Sequence, residues 1–305
     1  MWRKIVHASI IDCHTHTNFS DGESSFAENV RAAAARGCRV LVSTDHLTLP
    51  ASMDPRCECQ VPARDLAAHR AAFNDARELA AQIAPDMDVI FGFECDWYPG
   101  CEQNVAKWAQ GAQVKLGSVH WIGPAGNVSV AAGEKGCESI PPADAPHSGA
   151  GWIDYSEDMH IWEELESDGV WRAYVDAWCA ACESPLAFDS MAHPDLPMRF
   201  SQDGWPAPAN VERLWDEMAA CAHDTKRRIE LSTASLRKGL PDFYPAAGLL
   251  ERFCKADVAI TIGSDAHAAR DICFGVPEAQ KHAFEAGYRT FDVPRPDGSW
   301  ESWNL

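Results

Sequence analysis

The chain has 305 residues, 46% hydrophobic and 23% charged, with 45 acidic against 26 basic side chains and a formal charge of −19. This is an ordinary soluble globular composition, and the length suits one barrel or two smaller units. A surface this acidic repels phosphate backbones and anionic lipid, so neither nucleic acid nor membrane is expected as a partner. The opening stretch, MWRKIVHASIIDCHTH, has no long apolar run and no small-residue cleavage site, so no signal peptide is expected. No stretch approaches the roughly 20 apolar residues of a membrane span. The twelve cysteines are scattered, as reduced thiols in a cytoplasmic protein would be, and the CxxC at Cys179 and Cys182 lies inside a helical pattern without a second pair. Oligomeric state has no signal in the sequence.

Along the chain, short apolar runs rich in β-branched residues alternate with longer amphipathic segments, the pattern of a parallel β/α protein. The expected strands are Ile5–Cys13, Arg39–Thr44, Val89–Phe93, Gln113–Val119, Leu186–Ala192, Arg228–Ser232 and Ala259–Gly263. Helical spacing is clearest at Phe26–Ala35, Arg64–Ala84, Glu163–Cys182, Val211–His223 and Ala246–Lys255. Seven strand–helix units without a break predict an α/β fold, a distorted seven-stranded TIM-like barrel occupying residues 1–305 as one domain. The one long irregular region runs from Ile122 to about Asp158 and is rich in Gly, Ala, Pro and Ser. An insert of that length near a barrel mouth reads as a lid or a substrate-binding loop.

Metal-type residues follow nearly every expected strand. The first strand ends in His14-Thr15-His16 and is followed by Ser20-Asp21-Gly22; the second ends in Asp45-His46 and the third in Glu94. The fourth ends in His120, the fifth in His193, and the seventh in Asp265-Ala266-His267. The C-terminal ends of parallel barrel strands meet at one mouth, so these residues should share a pocket. Residues two apart on a strand face the same side, which aligns His14 with His16 and Asp265 with His267. A lone HxH is weak evidence, and any one of these histidines taken alone is more often a satisfied polar residue. Six of the twelve histidines at successive strand ends, interleaved with three carboxylates, instead point to a metal centre. Imidazole and carboxylate donors without thiolate suit Zn, Mn or Fe. Cys13 and Cys95 flank donors but should point to the other side of their strands, into packing.

The stretches HTHTNFSDG, TDH, GFE, GSVH, AHPD and GSDAH, in that order, resemble the polymerase and histidinol phosphatase (PHP) superfamily. The resemblance spans nearly the whole chain. GFECDWYPG, LGSVHW, FDSMAHPDLPMRF and ELSTASLRKG…YP look like its histidinol-phosphate phosphatase branch in particular. It implies a distorted seven-stranded barrel holding three divalent ions. By position, the first ion would take His14, His16, Glu94 and Asp265. The second would take Glu94, His120 and His193, and the third Asp21, His46 and His267. Ser232 stands where this branch often has Asn, and the Ile122–Asp158 insert has no counterpart that aligns; both bear on the substrate.

The implied activity is hydrolysis of L-histidinol phosphate to L-histidinol and phosphate, with a metal-bridging hydroxide held by His14, His16, Glu94 and Asp265 as nucleophile. Arg199 is expected to hold the phosphate through its planar fork, the alternative being a salt bridge at the mouth. Arg237 is a second candidate, with Glu230 as an alternative partner; Glu230 itself is not assigned to a metal. Asp45 and Asp195 are expected to orient histidine ligands, or else to cap turns. Trp97, Tyr98, Trp121 and Trp152 are candidates to line a pocket for an imidazole-bearing amino alcohol. Three rival readings remain: another small phosphomonoester or a nucleotide as substrate, a non-catalytic metal-binding module, and a C–N hydrolase. The last would usually show a lysine after a strand, and none stands at a matching strand end.

Overall fold

A computed structural model describes residues 9–143 and 149–305. The first strand, β1 (Ile11–Asp12), ends just before His14; the expected strand residues 5–8 lie outside the described residues. Helix α1 (Phe26–Ala35) begins at a capping box, in which Ser25 and Glu28 satisfy each other's backbone N–H groups. Its buried residues Phe26, Val30 and Ala33 recur at helical spacing and face the barrel. Then come β2 (Val40–Ser43), helix α2 (Leu66–Ile83), β3 (Asp88–Asp96), the short α3 (Glu102–Trp108) and β4 (Val114–Ser118). Strand β2 is buried at every position, because helices cover one face of the sheet and the barrel interior the other.

After β4, β5 (Trp121–Ile122) pairs antiparallel with β6 (Gly151–Trp152), pinning the two ends of the insert together. Helix α4 (His160–Glu183) follows, bent at Glu166, and leads into β7 (Ser190–Met191). The second half continues through α5 (Val211–Thr225), β8 (Arg228–Ser232), α6 (Ala234–Arg237), α7 (Ala247–Lys255), β9 (Ile260–Gly263) and α8 (Val276–Ala286). It ends in an antiparallel hairpin of β10 (Thr290–Pro294) and β11 (Trp300–Asn304). Helices α3 and α8 and this hairpin have no counterpart among the expected elements.

The seven parallel strands are ordered β1-β2-β3-β4-β7-β8-β9. The edges meet where Cys13 donates its backbone N–H to the Ile262 carbonyl at 3.1 Å and His16 to the Ala266 carbonyl at 2.8 Å. Asp12 reinforces this seam: its buried carboxylate accepts from the Ser264 N–H, the Ser264 hydroxyl and the Cys273 N–H. The expected α/β, TIM-like barrel of seven strands is the one found. Among the described residues, no helix is long and apolar enough to cross a membrane.

Candidate metal centre

Strand β3 runs three residues past its expected end and carries Glu94, 1% exposed, to the middle of the mouth. Its Oε2 lies 3.1 Å from His14 Nε2, 3.4 Å from His16 Nε2 and 3.3 Å from His46 Nδ1. Its Oε1 lies 2.8 Å from His193 Nε2 and 3.6 Å from His120 Nε2. The two oxygens of one carboxylate thus serve two sets of imidazoles. Asp265 Oδ1 stands 3.2 Å from His16 Nε2 and 3.7 Å from His14 Nε2. Asp21 Oδ2 stands 3.2 Å from His267 Nε2 and 3.7 Å from His46 Nε2.

All nine donors singled out in the sequence therefore meet at one mouth. Among the described residues, ligand-type atoms within 4.8 Å of one another form four groups: His14–His16–Asp265, Glu94–His120–His193, His16–Asp21–His46–His267, and His46–Asp96–His120. The last group was not expected. Asp96 lies two residues beyond Glu94, hence on the same side of β3, and its Oδ1 is 2.7 Å from His120 Nδ1. Extending to β3 the alternation read in HTH would have found it.

The donor set fits divalent cations. The Nε2 atoms of His14 and His16 face each other at 3.0 Å, with carboxylate oxygens of Glu94 and Asp265 beside them. The Nδ1 atoms of His16, His46 and His193 are buried without a hydrogen-bond partner among the described residues. Buried groups of this kind call for a partner that the protein itself does not supply.

Charge pairing overrides burial at Glu94, Asp265, His120 and His267. Burial alone would raise the Glu94 carboxyl, but His46, His14, His120 and His193 hold it well below the usual carboxylate range. Asp265, raised by burial, is likewise held well below that range by His14 and His267. Burial would lower the histidines; instead Asp96 and Glu94 bring His120 up to about 10, and Asp265 and Asp21 bring His267 up to about 9. His16 goes the other way, pushed down to about 4 by burial and then by His267.

Glu230, on β8, is buried behind His14 and holds two donors at once. Its Oε1 is 3.0 Å from His14 Nδ1, and its Oε2 accepts the backbone N–H of His193 at 2.8 Å. The side chain passes over Gly263, where a Cβ would stand 2.2 Å from Glu230 Oε1 and 2.6 Å from the His14 Cβ. The glycine of GSDAH is required by that close approach.

Several expected roles fall differently. Asp45 and Asp195 touch no histidine of the cluster: Asp45 binds Thr17, Ser20 and His69, and Asp195 accepts the Ala246 N–H. Arg237 is not paired with Glu230; it donates to the carbonyls of Ser264 and Asp265 at 2.8 and 2.7 Å, fixing the strand end that bears Asp265. Arg199 lies in the turn Leu196–Phe200, whose Leu196 lines the cavity while Arg199 itself does not, and its Nε is buried and unpartnered among the described residues. Of the four aromatic candidates only Trp152 lines the cavity, while Tyr98 and Trp121 are buried in the core.

The cavity over the cluster measures about 720 Å³. One side comes from the insert, through Pro142, Trp152, Asp154, Tyr155 and Asp158. The other comes from the β2–α2 loop, through Met53, Asp54, Arg56, Glu58 and Cys59, a wall with no sequence signal. Lys238 also lines it. The loop and the insert are laced together: Ala51 donates to the Val130 carbonyl, Ala132 to Leu49, Ala63 to Ala132, and the Ser52 hydroxyl to Ala125.

Residues 12–234 match the model of the PHP domain family. A Deinococcus radiodurans protein named "Probable histidinol-phosphatase" is 26% identical over 288 residues, covering 92% of this chain and 95% of that one. The fold is similar to that of the HisK chain of Listeria monocytogenes, with a TM-score of 0.73 at 18% identity over 88% of this chain and 99% of that one. It is also similar to histidinol phosphate phosphatase from Lactococcus lactis, solved with zinc, L-histidinol and phosphate. There the TM-score is 0.69 at 15% identity, over 96% of this chain and 99% of that one.

Proposed function

The chain belongs to the PHP domain family, and from that premise we propose that it is a metal-dependent phosphoric monoester hydrolase acting on L-histidinol phosphate. The observation that carries this reading is the meeting of nine imidazole and carboxylate donors around Glu94, at the floor of a cavity sized for a small molecule. We assign three divalent ions, Zn, Mn or Fe, to His14, His16, Glu94 and Asp265; to Glu94, His120 and His193; and to Asp21, His46 and His267. Bound there, such ions supply charge neutralisation for a phosphate dianion and acidify a water towards neutrality.

The chain's own residues do the rest. Glu94 splits its two oxygens between the imidazole sets and keeps them in register. Glu230 and Asp96 fix the rings of His14 and His120 through their Nδ1 atoms. Arg199, whose Nε has no partner among the described residues, is the cation proposed to meet the phosphate, and Arg237 holds the Asp265 backbone. Asp54, Glu58, Asp154 and Asp158 give the wall the charge that a cationic amine seeks, and Trp152 and Tyr155 offer flat apolar faces for an imidazole.

Phosphate release from a panel of phosphomonoesters, before and after metal removal, tests the reading. Histidinol phosphate should show the highest kcat/KM, chelation should abolish turnover, and Zn or Mn should restore it. Turnover that survives exhaustive metal removal would overturn the metal-dependent reading. A histidinol phosphate rate no better than that of generic phosphomonoesters would overturn the substrate and leave the hydrolase.

A further inference from the structure

Among the described residues, His69 is the one buried histidine that gives no atom to the donor groups around Glu94. It sits on the outer helix α2, 1% exposed, with its ring stacked on Phe93 at 5.2 Å and enclosed by Phe19, Phe26 and Phe91. A polar ring in an aromatic cage costs free energy unless its nitrogens are occupied. Its Nδ1 has no partner among the described residues, so the whole polar return rests on Nε2, which lies 2.8 Å from Asp45 Oδ2.

Asp45 is fully buried and spends its remaining acceptor capacity on one short loop. Its Oδ1 accepts the Thr17 N–H at 2.5 Å and the Ser20 hydroxyl at 2.8 Å, and its Oδ2 accepts the Thr17 hydroxyl at 2.9 Å. The loop then folds on itself, since Ser20 and Gly22 both donate to the Thr17 carbonyl at 3.1 and 3.0 Å. A Cβ at Gly22 would stand 2.9 Å from the Thr17 backbone, so the two segments are in direct contact. Asp21 is the product of this fold. It is the most solvent-accessible of the carboxylates facing the cluster, and among the described residues its carboxylate pairs only with the imidazoles.

We propose that His69 is a positioning residue for the ion assigned to Asp21, His46 and His267, acting through Asp45 and the Thr17–Gly22 loop. The inference rests on the three-ion reading above. With the imidazole N–H in place all the lone pairs of a buried carboxylate are engaged and the loop has one geometry; without it Asp45 is left part-satisfied against phenyl rings and free to turn. A purely structural role for His69 would instead stabilise the packing of α2 and leave ion binding alone.

Metal content and calorimetric titration of the full chain with Zn or Mn separate the two. His69→Phe should weaken one ion of three by about 10–100-fold, the usual effect of removing an outer partner, with the other two unchanged. His69→Gln, whose amide N–H can reach Asp45, should recover most of that loss. Ala80→Gly, at a buried position of the same helix about three turns beyond His69, should lower Tm with all three ions retained. If His69→Phe does not fold, Thr17→Val removes one Asp45 contact and should show the same selective loss. His69→Phe binding three ions with unchanged affinity would overturn the proposal and leave the three-ion reading standing, as would a loss at all sites in proportion to Tm. Wild type that binds fewer than three ions would overturn both.

Discussion

Glu230 illustrates how much one side chain at the barrel mouth can carry. It fixes the ring of His14 on one oxygen and the backbone of His193 on the other, so the donors of two assigned ions share a single support. Glu230→Gln should therefore weaken metal binding by about 10–100-fold in a competitive chelator titration. Gly263→Ala should also weaken it with Glu230 kept, because its methyl would stand 2.2 Å from Glu230 Oε1 and 2.6 Å from the His14 Cβ and push the two apart. Wild-type affinity in both variants would show that Glu230 is a bystander. Arg199→Ala should raise KM for phosphomonoesters, with a loss of about 1.5–3 kcal/mol in steady-state kinetics, the range for a charge-assisted hydrogen bond. The donors themselves were legible because each follows a strand and the period of two fixes its side. Glu230 and His69 were not, because what defines each is a partner 216 or 24 residues away.

At the scale of elements, the two walls of the cavity form one piece. The β2–α2 loop and the insert exchange backbone hydrogen bonds at Ala51, Ala63 and Ala132. Shortening the insert at 125–143 should therefore displace Asp54 and Glu58 as well as removing its own residues. The expected result is a large loss of kcat/KM for histidinol phosphate with a small loss for a simple aryl phosphate, because only the first uses contacts remote from phosphorus. Equal losses would show that this part of the wall makes no selection. The helix Phe26–Ala35 and the strand Arg228–Ser232 were readable to the residue, since a capping box and the alternation of Ile229 and Leu231 with polar residues are local signals. Strand β7 is shorter than its apolar run, because Ala187 turns at φ 50° before the ladder begins. The lacing of loop to insert is a contact between segments far apart in the chain, and composition carries no trace of it.

Across the whole molecule, the cluster ties stability to pH in a way that depends on metal. In the metal-free protein the neighbouring carboxylates outweigh burial and push His120 up to about 10 and His267 up to about 9, above the ordinary histidine value. Their pairing stabilises the fold fully below about pH 6.5 and is lost as pH rises through 9 and 10. Asp21, Glu94 and Asp265, held low, contribute stability that is present above the ordinary carboxylate range and lost on acidification. The Tm of chelated protein should thus fall between pH 7 and 10, while protein loaded with Zn or Mn should not show that decline, because cations replace the protons. Parallel declines by scanning fluorimetry would break the link between the cluster and stability. An excess of acidic side chains is what makes so many carboxylates available at the mouth, and the charge of −19 was the first sign of it.

The closure of the barrel at Cys13 and Ile262 also sets the order in which the protein can be completed during its synthesis. His14 and His16 leave the ribosome ahead of Asp265 and His267, which share donor groups with them and follow about 250 residues later. At about 5–20 residues per second that is a wait of tens of seconds. Asp21 arrives almost at once and Glu94 80 residues after His14, so for most of the wait the leading histidines have two of their carboxylates and lack the third. The donor set exists as a set only once both strands of the seam have been made.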